Sequence, residues 1–430
     1  MKAIHEVFGV APDVLPDSYV NRGALDEEIT KKIGRKTHIA LRGESKCGKS
    51  WLRKKNIPNA IVVQCRLKTT VSDIYTDILS QLGIKLIIER HEKDTIKGSL
   101  HGSAGIGVSL IAKIRVKLGL ERTEEEAVKY SMAGQDINDL RFITDLIKES
   151  ERKVVIEDFH YLNIEQRNLF AFDLKTLWDY NCLFVIVGVW TKTNLLIFLN
   201  KDLAGRIEEI SIHWDNKDLE KVIDKGCAVL NVFFSKEIKE AIIADCYGNV
   251  GIMQKLIINT LDKSGVEYQQ DEELLISDSK VMVSAAQEYA DQLNTHYHKF
   301  ASDVSSGIRK RNDSTGIYAH AMWVIIETSD EKLINGLHVD DIYRIANGRQ
   351  SRIQKSNLKS ILMKIEELQV DEDMRGLVIA YNEGVEEVSV VDRTLLFYRK
   401  YVRMNWPWAE LVKEAGANSP PKQLSMDLDG

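Results

Sequence analysis

The chain has 430 residues, with 58 Lys and Arg against 64 Asp and Glu and a formal net charge of −6. That balance excludes a globally basic nucleic-acid binder, so any such contact must come from a local patch, and the length implies two or three domains. The five cysteines (Cys47, Cys65, Cys182, Cys227, Cys246) form no Cys-x-x-Cys pair and no His-linked metal spacing. The longest strongly apolar run, Cys182 to Trp190, is far shorter than a bilayer span, and no charged-then-apolar leader opens the chain. These features predict a cytoplasmic protein without structural zinc and without a membrane partner.

In chain order, the first strong element is a strand, His38-Ile39-Ala40-Leu41, followed by Gly43-Glu44-Ser45-Lys46-Cys47-Gly48-Lys49-Ser50 and a helix opening at Trp51. Gly-x-x-x-x-Gly-Lys-Ser between strand and helix is a phosphate-binding loop. Its backbone N–H groups and the helix N-terminus would cradle phosphates, Lys49 would reach the β/γ-phosphates, and Ser50 would ligate Mg2+. Cys47 sits in the loop at a helix N-terminus, where a thiol is either redox-sensitive or an inert filler. A second strand follows at Ala60–Val63. The run from Ile106 to Leu118 alternates with period two, carries Lys113, Arg115 and Lys117 on one face, and follows Gly98, Gly102 and Gly105. It predicts an inserted β element over about 98–120, either a contact for phosphate or a partner, or an edge strand guarded by its charge.

Val154-Val155-Ile156 reads as a buried strand ending in Glu157-Asp158. Two carboxylates at the end of an apolar strand are costly unless metal or donors satisfy them, so Glu157 is expected in the metal shell and Asp158 at the attacking water. Further strands are expected at Leu183–Val187 and Ile207–Ile212. Alternating strands and helices give an α/β fold with a parallel sheet and ligands at the C-terminal strand ends, over residues 1–214. From Asp215 to Lys263 the apolar spacing is wholly helical and reads as a lid. A long helix over Ser277 to Ser302 then closes a lid-and-linker region of 215–305, before the basic segment Arg309–Asp313.

Residues 306–405 are expected to form a winged helix: helices at Tyr318–Thr328, Val339–Ala346 and Ser351–Leu368, then strands at Gly376–Tyr381 and Glu387–Val391 joined by Asn382-Glu383-Gly384. From Arg344 to Lys364 there are six basic residues and no acidic one. Arg352, Lys355 and Lys359 fall on one helical face, and with Arg349 they are the candidate DNA contacts; the same surface could serve a partner protein. Residues 406–430 read as a flexible tail.

The phosphate loop, acidic strand end, intervening strand and lid together resemble the AAA+ ATPases, and more narrowly the origin-recognition-like and signal-transducing NTPases that carry a winged helix after the lid. The resemblance implies an ATPase with ATP and Mg2+ as cofactors. Ser18-Tyr19-Val20-Asn21-Arg22 matches the segment that packs on adenine, which makes Tyr19 and Arg22 nucleotide contacts, with Trp51 beside them at the loop helix. Thr191, after Val187-Gly188-Val189-Trp190, falls where a polar sensor of the γ-phosphate would sit. Asp202-Leu203-Ala204-Gly205-Arg206 matches the segment that offers an arginine to a neighbouring subunit, so Arg206 is either that trans-acting group in a homo-oligomer or a surface ion-pair residue.

Two departures stand out: relatives of this pattern usually show Asp then Glu where this chain has Glu157-Asp158, and Gly251 stands where many carry a second sensing arginine. Both favour a slow switch over a fast motor. The settings implied by the resemblance are mobile-element target selection, with a transposition protein as partner, and prokaryotic defence, with an effector as partner. Gln423 to Leu428 is similar to the peptide by which bacterial proteins dock on the sliding clamp, and otherwise reads as a solubilising tail.

Overall fold

The computed structural model describes residues 1–90, 96–102, 109, 113, 137, 139–190, 193–307, 315–370 and 376–417. The chain divides into two compact units, Val10–Lys225 and a second made of Met1–Gly9 with Gly226–Gly430. The boundary falls inside the helix Asn216–Leu230, so most of the expected lid belongs to the same unit as the winged helix.

In the Val10–Lys225 unit, β1 (His38–Arg42), β2 (Ala60–Gln64), β5 (Lys153–Glu157), β6 (Phe184–Gly188) and β7 (Ile207–Ser211) form a parallel sheet in the order β2-β5-β6-β1-β7. The near-continuous apolar runs are explained by burial on both faces. Ile39, Leu41, Val155, Val185 and Val187 pack with Ile29 and Leu52 on one side, while Ala40, Ile61, Val63, Val154, Ile156 and Ile186 pack with Ile78, Leu146 and Leu174 on the other. His38, at the head of β1, is fully buried. The Phe184 amide donates to its Nδ1 at 3.0 Å, so Nε2 carries the proton and donates to the Leu174 carbonyl at 2.9 Å. Burial pushes its pKa down to about 4.

β3 (Ile84–Arg90) and β4 (Ile96–Gly102) form a separate antiparallel pair that starts upstream of the expected inserted β element and overlaps only its first residues. Of the alternating run 106–118, only Ser109 and Lys113 are described, and both are helical; the rest lies outside the described residues. Lys113 stands 3.5 Å from Glu149 in an exposed ion pair; Arg115 and Lys117 lie outside the described residues.

In the second unit the expectation of an unbroken helical lid is corrected. Val232-Phe233-Phe234 leaves the helix at Asn231, whose φ is 55°, and forms β8, parallel to β9 (Leu274–Ile276). β-branched and aromatic residues beside a left-handed asparagine favour that exit. The helices Lys236–Asp245 and Val250–Lys263 follow the expected spacing, and the long helix runs Ser279–Ser306.

The winged helix is present as helices Ile317–Glu327, Val339–Arg349 and Lys355–Leu362, with a three-stranded antiparallel sheet. β11 (Ile379–Asn382) and β12 (Glu387–Val390) are the expected hairpin. Two-residue β10 (Leu337–His338), too short to read by periodicity, completes the sheet. The third helix starts at Lys355 rather than Ser351 and ends at Leu362 rather than Leu368. Part of the expected tail is also ordered: Trp408–Ala417 is helical, Trp408 is buried, and its ring stacks on Trp406 at 4.6 Å. The basic linker Arg309–Asp313 and the peptide Gln423 to Leu428 lie outside the described residues.

Candidate functional site

The loop Gly43–Ser50 leaves the C-terminal end of β1. Gly43 is required there because a Cβ would come within 2.6 Å of the Cys47 sulfur and 3.0 Å of the Ile212 carbonyl oxygen. Lys46 and Gly48 take positive φ (61° and 89°), which turns the chain into the helix Lys49–Asn56. The Lys49 ammonium is buried and folds back on the loop, donating to the carbonyls of Gly43 at 3.0 Å and Glu44 at 2.5 Å. Ser45 and Lys46 are exposed at the rim. Burial pushes the Cys47 thiol up, opposed by the neighbouring Lys49 charge, which disfavours a thiolate there.

Across the sheet, Glu157 ends β5 and faces this helix: its Oε2 accepts from the Ser50 hydroxyl at 3.2 Å. Its Oε1 accepts from Arg53 Nε at 2.7 Å and Nη2 at 2.5 Å. A serine hydroxyl and a carboxylate oxygen facing each other are hard-oxygen donors suited to Mg2+, which takes one or two carboxylates and draws its remaining ligands from water and phosphates. Among the described residues there is no group of three or more His, Cys, Asp or Glu that could hold a metal ion. Asp158 follows with φ 55° and accepts from the Gln64 amide. Burial, with the neighbouring Glu157 charge, raises its pKa, opposed by Lys49 and Gln64.

Arg22 is buried with its guanidinium 4.1 Å above the Trp214 ring, and its Nε and Nη1 have no hydrogen-bond partner. Trp214 in turn donates from its indole N–H to the Cys47 carbonyl at 2.9 Å, so Arg22 is held over the phosphate loop through that ring. The Tyr19 hydroxyl donates to Asp26 at 2.8 Å, and the Arg22 amide donates to the same carboxylate at 3.0 Å. The Trp51 indole donates to the Ala11 carbonyl at 2.9 Å. Thr191 lies outside the described residues.

Arg206 immediately precedes β7, whose Ile207 is in register with His38. It therefore stands at the end of the sheet opposite the phosphate loop. There its guanidinium lies 4.8 Å from the Trp178 ring and donates to the Asp202 carbonyl. Three contributors were not anticipated from sequence. Arg53 carried a signal, since it lies three residues after Ser50 on the same helix. Gln64 carried one only through strand register with Glu157, and Trp214 carried none.

In the other unit, the expected DNA face is only partly one face. Lys355 and Lys359 lie on the Lys355–Leu362 helix, but Arg352 sits in the preceding turn, bonded to Gln350 at 3.4 Å. Arg349 ends the previous helix and stacks 3.9 Å from the Trp323 ring. Lys355 pairs with Asp340, and Lys359 with Glu386 at 2.5 Å. Those acids lie outside the six-residue basic cluster in sequence, and the tertiary fold returns them to it. Gly251 is buried in the first turn of Val250–Lys263, where its amide donates to the Asn249 side chain at 2.9 Å.

No protein-family model matches the chain, and none of the curated proteins does. Among solved structures, the Walker-type ATPase PABY2304 of Pyrococcus abyssi is similar with a TM-score of 0.50 at 11% identity, covering 92% of this chain and 99% of that one. The Aeropyrum pernix ORC1 protein in complex with DNA matches at 0.37 and 11% identity over 91% and 94%, and the Thermotoga maritima RuvB Holliday junction branch migration motor at 0.37 and 13% over 90% and 98%. The first likeness shows the fold alone, one shared with that Walker-type ATPase. Among the described residues no helix is long and apolar enough to cross a membrane.

Proposed function

We propose that the chain binds ATP with Mg2+ at Gly43–Ser50 and hydrolyses it slowly, as a nucleotide-gated switch. The observation that carries this reading is the meeting of Ser50 and Glu157 beside a buried Lys49 that bonds to two loop carbonyls and the Cys47 sulfur. Lys49 would exchange those carbonyls for phosphate oxygens, a stronger charge-assisted contact. The amides of Gly48, Lys49 and Ser50 would meet the phosphates at the helix N-terminus. Ser50 and Glu157 would hold the metal, which supplies charge neutralisation of the phosphates. Asp158 would orient water and take its proton, and Arg22 would use its open donors on the nucleotide.

Arg206, at the far end of the sheet, has a role in hydrolysis only if it reaches a neighbour's nucleotide, so this reading includes a homo-oligomer. The winged helix would contact DNA or a partner. Exposed ion pairs are worth about 0–1 kcal/mol, so a phosphate backbone can displace Asp340 and Glu386 from Lys355 and Lys359. Mobile-element target selection and prokaryotic defence are the settings this reading is framed for.

A second reading, an ATP-bound scaffold with negligible turnover that recruits an effector, draws on the Gln64 bond to Asp158 and on Gly251 in place of an arginine. Turnover of wild type beside Asp158→Ala, with and without DNA, decides between them. The switch reading expects turnover that Asp158→Ala removes while nucleotide binding survives. Equal turnover in both leaves the scaffold. Mass photometry with ATP tests the oligomer, and a strict monomer under every condition removes Arg206 from the site.

A further inference from the structure

Arg53 commits both of its inner donors to a single oxygen of Glu157, and both side chains are more than nine-tenths buried. The other oxygen, Oε2, is the one that faces Ser50. We infer that Arg53 is a positioning residue that withholds Glu157 from a bare cation, so that the metal enters only together with a nucleotide. This rests on the reading of Ser50 and Glu157 as the metal-holding pair.

The argument is electrostatic and geometric. A buried carboxylate without a partner is costly, and it would relieve that cost by taking up any divalent cation or by protonating. The guanidinium fork supplies the partner, fixes the plane of the carboxylate, and leaves one oxygen toward Ser50. A free cation therefore meets one carboxylate oxygen and one hydroxyl, with a fixed positive charge directly behind them and Lys49 on the adjoining turn of the loop. Mg2+ gives up its water reluctantly and needs more than that. A triphosphate brings the missing negative charge and oxygens, so metal and nucleotide bind as one.

The test uses the nucleotide-free full chain: Mn2+ titration followed by electron paramagnetic resonance, and thermal melting in chelator against Mg2+. Wild type is expected to bind Mn2+ weakly and to melt at the same temperature in both conditions. Arg53→Met should bind Mn2+ at least about 10-fold more tightly, and its lowered melting temperature should partly recover in Mg2+. Both responses should vanish in the Arg53→Met/Glu157→Gln double variant. An Arg53→Met chain that melts lower but keeps wild-type Mn2+ affinity overturns the inference and leaves Arg53 a structural residue. Should Arg53→Met not fold, Arg53→Gln removes the charge but keeps an amide donor for Glu157; its Mn2+ affinity is expected above wild type, and a wild-type value overturns the inference. Titration of wild type with a fluorescent ATP analogue is read separately: no binding there sinks the proposed function, while the Mn2+ comparison still scores Arg53.

Discussion

In the Val10–Lys225 unit, Arg22, Lys49 and Arg53 are 7%, 8% and 5% exposed, and each is held by one specific surrounding: a tryptophan face, loop carbonyls, a single carboxylate oxygen. In the winged helix, Lys355 and Lys359 stand in half-open ion pairs with Asp340 and Glu386. The comparison teaches that the same residue type serves two purposes. Buried, a cation must be matched atom by atom, because desolvation exceeds what loose attraction returns. Exposed, it can change partner at almost no cost, which suits a surface that meets a polyanion.

The largest effect expected is at the buried end. Lys49→Ala should lower ATP turnover by about 100-fold or more, since a fixed charge at the phosphates is lost from a water-poor site; steady-state hydrolysis and nucleotide titration check it. Retained turnover would break the comparison at its root.

The second unit offers a control, because among its described residues it holds a buried carboxylate of its own. Asp245 is 2% exposed and accepts from Lys400 and the Tyr401 hydroxyl. Asp245→Ala should cost about 3 kcal/mol in urea unfolding, mostly from the stranded tyrosine hydroxyl, with Lys400 contributing little because it is half exposed. A cost no larger than that of a surface pair would mean that burial is not what separates the two regions.

His38 sharpens the point with a titration. Its folded pKa of about 4 lies below the ordinary value of 6.5, so between these the unfolded chain binds more protons. Stability from this residue is complete above about pH 6.5 and falls as pH drops toward 4, by about 2 kcal/mol between about pH 7.5 and about pH 5. Urea unfolding across that range should show the slope, and His38→Gln should lack it.

The smallest expected effect is at the exposed end. Lys355→Ala and Lys359→Ala should leave the melting temperature unchanged within error. The triple charge reversal Arg352→Glu, Lys355→Glu, Lys359→Glu should nevertheless weaken DNA binding by about 10-fold or more at low salt, read by fluorescence anisotropy. Undiminished salt-dependent binding would assign the winged helix to protein contacts.

Much of the fold was legible because its signals are local. The loop needs glycine where a side chain would strike Cys47, and the strands need apolar residues on both faces, so both write themselves into short windows of sequence. The winged helix was legible in outline for the same reason, yet β10 was not, since two residues show no period. The start of the Lys355–Leu362 helix was misjudged because the Arg352 turn follows the apolar spacing without being helical.

What the sequence determined by itself is therefore the Gly43–Ser50 loop motif, the carboxylate pair and where the strands lie along the chain, each set by sterics and burial within a few residues. Only the tertiary structure decided which charges meet. Arg53 reaches Glu157 across 104 positions, Trp214 reaches Cys47 across 167, and Lys359 finds Glu386 beyond its basic cluster. Electrostatic partners are chosen by distance in space, which no local pattern encodes, and for that reason the identity of the loop was readable while the state in which it is held was not.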